Sequence, residues 1–114
     1  MTQKLALTRD INGFNTFGIA PSDVKVGVQL IQNDEESFQV PTAFKFYELV
    51  FSIDPGLRVW VSYDGATPDV PSSTFATINS ELNPAARTVP GGTIVNCITP
   101  DTSAFVGVMM YGIP

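Results

Sequence analysis

At 114 residues the chain has room for one domain and not for a second. Eleven acidic against six basic side chains give a formal charge of -5, which excludes the clustered Lys and Arg of a nucleic-acid or anionic-membrane surface. Charged residues make up 15% and apolar residues 44%, a balance that folds, and the absence of His removes the commonest general base and zinc ligand.

The first stretch, residues 9–19, carries Phe14, Phe17 and Ile19 among Asn, Gly and Thr, too apolar for a free tail. Residues 1–19 are therefore expected to be an arm that orders against a partner, or a first strand, ahead of a single domain over 20–114. In 24–30, Val24, Val26, Val28 and Leu30 alternate with Lys25, Gly27 and Gln29, the period of two of a half-buried strand. Asn33 to Glu36 turns the chain, 37–40 is extended up to Pro41, and 43–53 is the next strand, closed by Asp54-Pro55-Gly56. Residues 58–63 follow, closed by Asp64-Gly65, and a loop around Pro68 and Pro71 leads to a short strand over 74–78. The stretch 79–92, with Asn83-Pro84 and Pro90-Gly91-Gly92, reads as irregular, with at most one helical turn over 84–87. Strands over 93–99 and 104–113 end the chain, separated by Pro100-Asp101.

No segment longer than ten residues shows a 3.6 period. The expected fold is all-β: an antiparallel two-sheet β-sandwich of jelly-roll or immunoglobulin-like type with almost no helix. Two strands depart from the clean in–out alternation such a fold predicts. In the last, Ala104, Val106, Val108 and Met110 share one face, while Phe105, Met109 and Tyr111 share the other with Gly107 between them. In 43–53, one face carries Ala43, Tyr47, Leu49, Phe51 and Ile53 with Lys45. The other carries Phe44, Phe46 and Val50, interrupted by Glu48 and Ser52. Either loops of the chain or another subunit must cover the second face, and a large apolar patch favours a partner. The candidate interface is Phe14, Phe17, Ile19, Phe105, Met109 and Tyr111.

Chemical sites are scarce. Without an imidazole there is no Ser-His-Asp or Cys-His arrangement. Cys97 has no partner for an intrachain disulfide and no neighbouring cation, and it reads as a small buried hydrophobe. The carboxylates that could form an acid–base pair are Glu48, Asp54, Asp64, Asp69 and Glu81; of these Asp54 and Asp64 sit in turns, and Glu48 is expected to pair with Arg58. Asp34-Glu35-Glu36 reads as a solvated turn, so no metal or cofactor is expected, and Gly91-Gly92 is a hairpin turn, not a phosphate loop. Trp60, Tyr47 and Tyr63 are candidates for a sugar-stacking platform, though Trp60 alternates with Val59 and Val61 as a packed aromatic would. The first ten residues lack the apolar run of a signal peptide, and 104–113 is half the ~20 residues of a membrane helix, so synthesis in the cytoplasm without membrane insertion is expected.

Several phrases resemble the small virion structural proteins of tailed bacteriophages, of the capsid decoration or cement type. They are Leu5-Ala6-Leu7-Thr8-Arg9-Asp10-Ile11-Asn12-Gly13-Phe14, Phe38-Gln39-Val40-Pro41, Val50-Phe51-Ser52 with Pro55-Gly56, Val59-Trp60-Val61, Ser80-Glu81-Leu82-Asn83-Pro84, and Thr99-Pro100-Asp101-Thr102-Ser103-Ala104 running into Val106-Gly107-Val108 and Tyr111. These are strand and turn words spanning nearly the whole chain. The resemblance implies a non-enzymatic β-sandwich in the virion that binds the major capsid protein, self-associates as a trimer or dimer, and uses no cofactor and no catalytic residue. The other reading kept open is a glycan- or receptor-binding module of a phage tail or fibre, with the loops after Tyr63 and around Asn79 as its binding end.

Overall fold

Ten strands and no helix make up the described residues of the computed structural model, which are 7–9, 15–19, 22–72 and 77–114. β1 (Leu7–Arg9) and β2 (Asn15–Ile19) form an antiparallel ladder of their own, with Leu7 opposite Ile19 and Arg9 opposite Asn15. That ladder joins neither larger sheet.

The remaining strands are β3 (Lys25–Ile31), β4 (Glu36–Gln39), β5 (Phe46–Ile53), β6 (Trp60–Ser62), β7 (Ser80–Leu82), β8 (Ala86–Pro90), β9 (Ile94–Ile98) and β10 (Ser103–Ile113). They form two four-stranded antiparallel sheets, ordered β3-β10-β5-β8 and β4-β9-β6-β7. The pairs β3–β10, β4–β9, β5–β8 and β6–β7 are those of one long hairpin, four strands out and four back. Curling that hairpin brings β10 beside β5 and β9 beside β6. Eight strands so connected are a jelly roll, and the immunoglobulin arrangement is excluded.

The inward side chains form one core. β10 contributes Ala104, Val106, Val108 and Met110, β5 Tyr47 and Leu49, β6 Val61, and β9 Val95 and Cys97. This is the inner face expected for β10, and 47–53 of β5 also points as expected. Residues 42–45, however, bend before β5 begins. Phe44 is therefore not on the outer face: its ring lies on Gly112, stacks edge-on against Tyr47 at 5.9 Å between centroids, and packs on the core. The stretch 79–92 is likewise not irregular, since it holds β7 and β8, and 86–87 is strand where a helical turn was expected. Of the expected strand 74–78, residues 77 and 78 are not strand, and 74–76 lie outside the described residues.

Turn chemistry closes the ends. Gly56, Gly65 and Gly92 adopt positive φ of 78°, 80° and 85° in the turns their neighbours announce. Asn83, with φ 46°, holds the β7–β8 turn to the β5–β6 connection: its side chain accepts the Val59 N–H at 2.8 Å and donates to the Leu57 carbonyl at 2.9 Å. Arg58 pairs with Asp101 at 2.9 Å, not with Glu48. Arg58 lies in the β5–β6 connection beside the β9–β10 turn, whereas Glu48 stands mid-strand and accepts the Thr88 hydroxyl at 2.6 Å.

One flank of the sandwich is clasped. Arg87 on β8 donates to both oxygens of Glu81 on β7, and the Tyr63 hydroxyl donates to Glu81 Oε1 at 2.6 Å, tying the two sheets together. Burial raises the Glu81 carboxyl, but the hydrogen bonds from Arg87 and Tyr63 and the Arg87 charge outweigh it, holding the group below its ordinary 4.5. Burial, and then Glu81, push the Tyr63 phenol well above its usual range. A carboxyl that titrates lower when folded stabilises the protein fully above its unfolded value, and that contribution fades as pH falls through the folded value. Glu81→Gln should therefore flatten the fall in melting temperature below pH 4.5. A profile as steep as that of the wild type would show that the clasp carries none of it.

Candidate functional site

The two outward faces are treated differently. On the β4-β9-β6-β7 sheet, Ser62 and Asn96 are buried polar residues on the outer side, and both donate to the Ala66 carbonyl, at 2.7 and 3.1 Å. The β6–β7 connection thus folds back over this sheet. Asn79 braces it by donating to the Asp64 carboxylate and to the Thr67 carbonyl at 3.1 Å, while the Asp69 N–H donates to Asn79 Oδ1 at 2.9 Å. The loop expected as a binding end serves as cover.

Among the described residues, no such lid covers much of the outer face of the β3-β10-β5-β8 sheet. Its registers set side chains in rows across the strands. Ile31 lies beside Ser103, and Gln29 beside Phe105. Gly27, Gly107 and Ser52 form the next row, then Lys25, Met109, Val50 and Ala86. Tyr111, Glu48 and Thr88 follow, and Ile113, Phe46 and Pro90 complete the face. The middle row has no bulky side chain, so a groove of about 320 Å³ crosses the sheet there, walled by Phe105 on one side and by Lys25, Met109 and Val50 on the other.

Phe105 defines this site. Its ring lies over Gly27, where a methyl group would meet Cζ at 2.9 Å, so the glycine is what lets the ring lie flat on the sheet. Its backbone N–H donates to the Asp54 carboxylate at 3.0 Å, which fixes the strand beneath the ring. The ring is nonetheless 45% exposed, with Ile31 at 62% and Phe46 at 42% on the same face.

Of the expected interface residues, Phe105 is exposed on the outer face, and Met109 is half-buried in the groove wall. Tyr111 is on the outer side by register but only 1% exposed. Since a single chain is present, its own segments shelter the tyrosine, and this end of the face is not open. Phe17 and Ile19 are in β2, and Phe14 is outside the described residues. The two ways of covering an apolar outer face, by the chain itself or by a partner, therefore divide along β10: the chain covers the Tyr111 end and leaves the Phe105 end bare.

The remaining candidates are committed elsewhere. Tyr47 is wholly buried, Tyr63 is held by Glu81, and Trp60 is half-buried between Leu82 and Ile98 on the neighbouring strands, so the three aromatics form no platform. Each candidate carboxylate has a partner in the fold: Glu48 the Thr88 hydroxyl, Asp54 a β10 peptide, Asp64 and Asp69 the Asn79 brace, Glu81 the clasp. Burial pushes the Cys97 thiol up to about 12, as suits a core residue. Among the described residues no group of three or more Cys, Asp or Glu side chains gathers to hold a metal ion. No protein-family model, curated protein or solved structure matches the chain.

Proposed function

We propose that this chain is a non-enzymatic structural protein of a bacteriophage virion, a decoration or cement protein that binds the major capsid protein and stabilises the capsid. The observation that carries the reading is the bare part of the β3-β10-β5-β8 outer face, where Phe105 stands beside an apolar groove. Exposed aromatic anchors next to a pocket are the usual energetic centre of a protein contact. The resemblance of the strand and turn phrases supplies the partner. Jelly rolls serve in both viral capsids and lectins, so the fold alone does not choose between them. The burial of Tyr47 and the tethering of Tyr63 weigh against the glycan-binding alternative.

The test is co-sedimentation of the purified protein with phage particles that lack it. Phe105→Asp should weaken particle binding about thirtyfold, roughly 2 kcal/mol for loss of a central anchor, while the far-UV circular dichroism stays unchanged. A folded variant that binds particles as tightly as the wild type would remove Phe105 from the contact. Retention on a glycan array, with no binding to particles, would replace the capsid reading by the glycan one.

A further inference from the structure

We infer that two copies of this chain pair edge to edge through β3, antiparallel about a two-fold axis at Val28, joining their β3-β10-β5-β8 sheets into one. This stands apart from the capsid reading, which uses the outer face rather than the edge.

The four sheet edges are unequal. β4 and β7 are short, at 4 and 3 residues, and β8 carries Arg87 and ends in Pro90. Such features are how proteins blunt an edge against pairing. β3 is 7 residues long with no Pro, and its only charge, Lys25, is at one end. The flank it borders is also the open one. Opposite the Arg87–Glu81 clasp, Val26 and Val28 of β3 and Phe38 of β4 pack against the core cluster yet are only half-buried.

The backbone phase of β3 fixes which residues bond along the edge, and complete overlap of its seven residues fixes the register. Gln32 N–H donates to the Thr102 carbonyl and Met110 N–H to the Val24 carbonyl, so even-numbered residues bond to β10. The peptide groups of Lys25, Gly27, Gln29 and Ile31 consequently point away from β10, along the edge. An antiparallel copy centred on Val28 sets Gly27 opposite Gln29 and Lys25 opposite Ile31, all with bonding groups facing. The inward faces then match: Val28 meets Val28, and Val26 meets Leu30. A slip of one residue would turn inward valines toward water and break this match. On the outer side, Ile31 of the second copy, the most exposed of the large apolar side chains here, falls beside Lys25 and Met109 at the groove wall. A strand pairing of this length buries on the order of 1,000 Å² in total, the size of a weak association.

Sedimentation equilibrium from about 1 µM to about 1 mM protein brackets such an affinity. The mass should rise from 12.3 kDa toward twice that value. Gln29→Pro removes an N–H on the free side and leaves the β10 ladder intact, so the variant should keep its circular dichroism and remain a monomer. Val28 faces itself across a non-hydrogen-bonded pair, about 4.5 Å between Cα atoms, within disulfide range. Val28→Cys should therefore oxidise to a covalent dimer, whereas Lys25→Cys, facing Ile31, should not. A monomer throughout, a trimer, a folded Gln29→Pro that still dimerises, or equal cross-linking by both cysteine variants would each overturn the inference. Should Gln29→Pro fail to fold, the two cysteine variants decide alone.

Discussion

Tyr47→Ala is expected to destabilise the domain by about 4 kcal/mol, read from urea denaturation followed by the fluorescence of Trp60, the only tryptophan. The ring is wholly buried near the start of β5, and its removal leaves a cavity in the core. The hydroxyl adds a second loss, because it accepts the Phe44 N–H at 3.2 Å and so anchors the bend before β5. Tyr47→Phe isolates that term and should cost about 1 kcal/mol. If the two variants cost the same, the ring itself contributes nothing and the packing described here is wrong.

Gly91→Ala should cost about 3 kcal/mol, at the upper end for a single added methyl group. Gly91 N–H donates to the Lys45 carbonyl at 2.8 Å, which presses the β8–β9 turn onto the chain between β4 and β5. A Cβ at this position would be 2.3 Å from the Phe44 carbonyl and 3.2 Å from the Pro41 carbonyl. Those are backbone atoms, so no side chain can swing aside and the whole 41–45 bend must move. The same bend holds Phe44 on Gly112 and against Tyr47. Gly91→Ala combined with Tyr47→Ala should therefore lose less than the two single losses added together, since either one releases the same segment. Full additivity in a double-mutant cycle would show that the turn and the ring act independently.

The legible parts of this fold were those with a strong period. β3 announces itself by apolar alternation, and the inner face of β10 follows by counting along a run that is apolar on both faces. β7 and β8 did not, for physical reasons: Ser80-Glu81-Leu82 has no apolar stripe because it is an edge, and β8 runs between Pro84 and the Pro90-Gly91-Gly92 turn. Phe44 was misplaced because periodicity cannot detect that a strand has not yet begun. The outer-face site was half legible. Phe105 and Met109 could be placed by counting, but the groove needs Gly27, Gly107 and Ser52 side by side, which only strand order supplies. Tyr111 counts as outward, and nothing in the local pattern reveals that the chain shelters it.

Cys97 has a practical consequence. Its thiol is the only one in the chain, has no exposure, and is far from ionised at neutral pH. An alkylating reagent can reach it only when the sheets part, so the labelling rate becomes a clock for spontaneous opening of the native domain. Under conditions where reclosing outruns the reagent, that clock reads the equilibrium constant for opening without any denaturant.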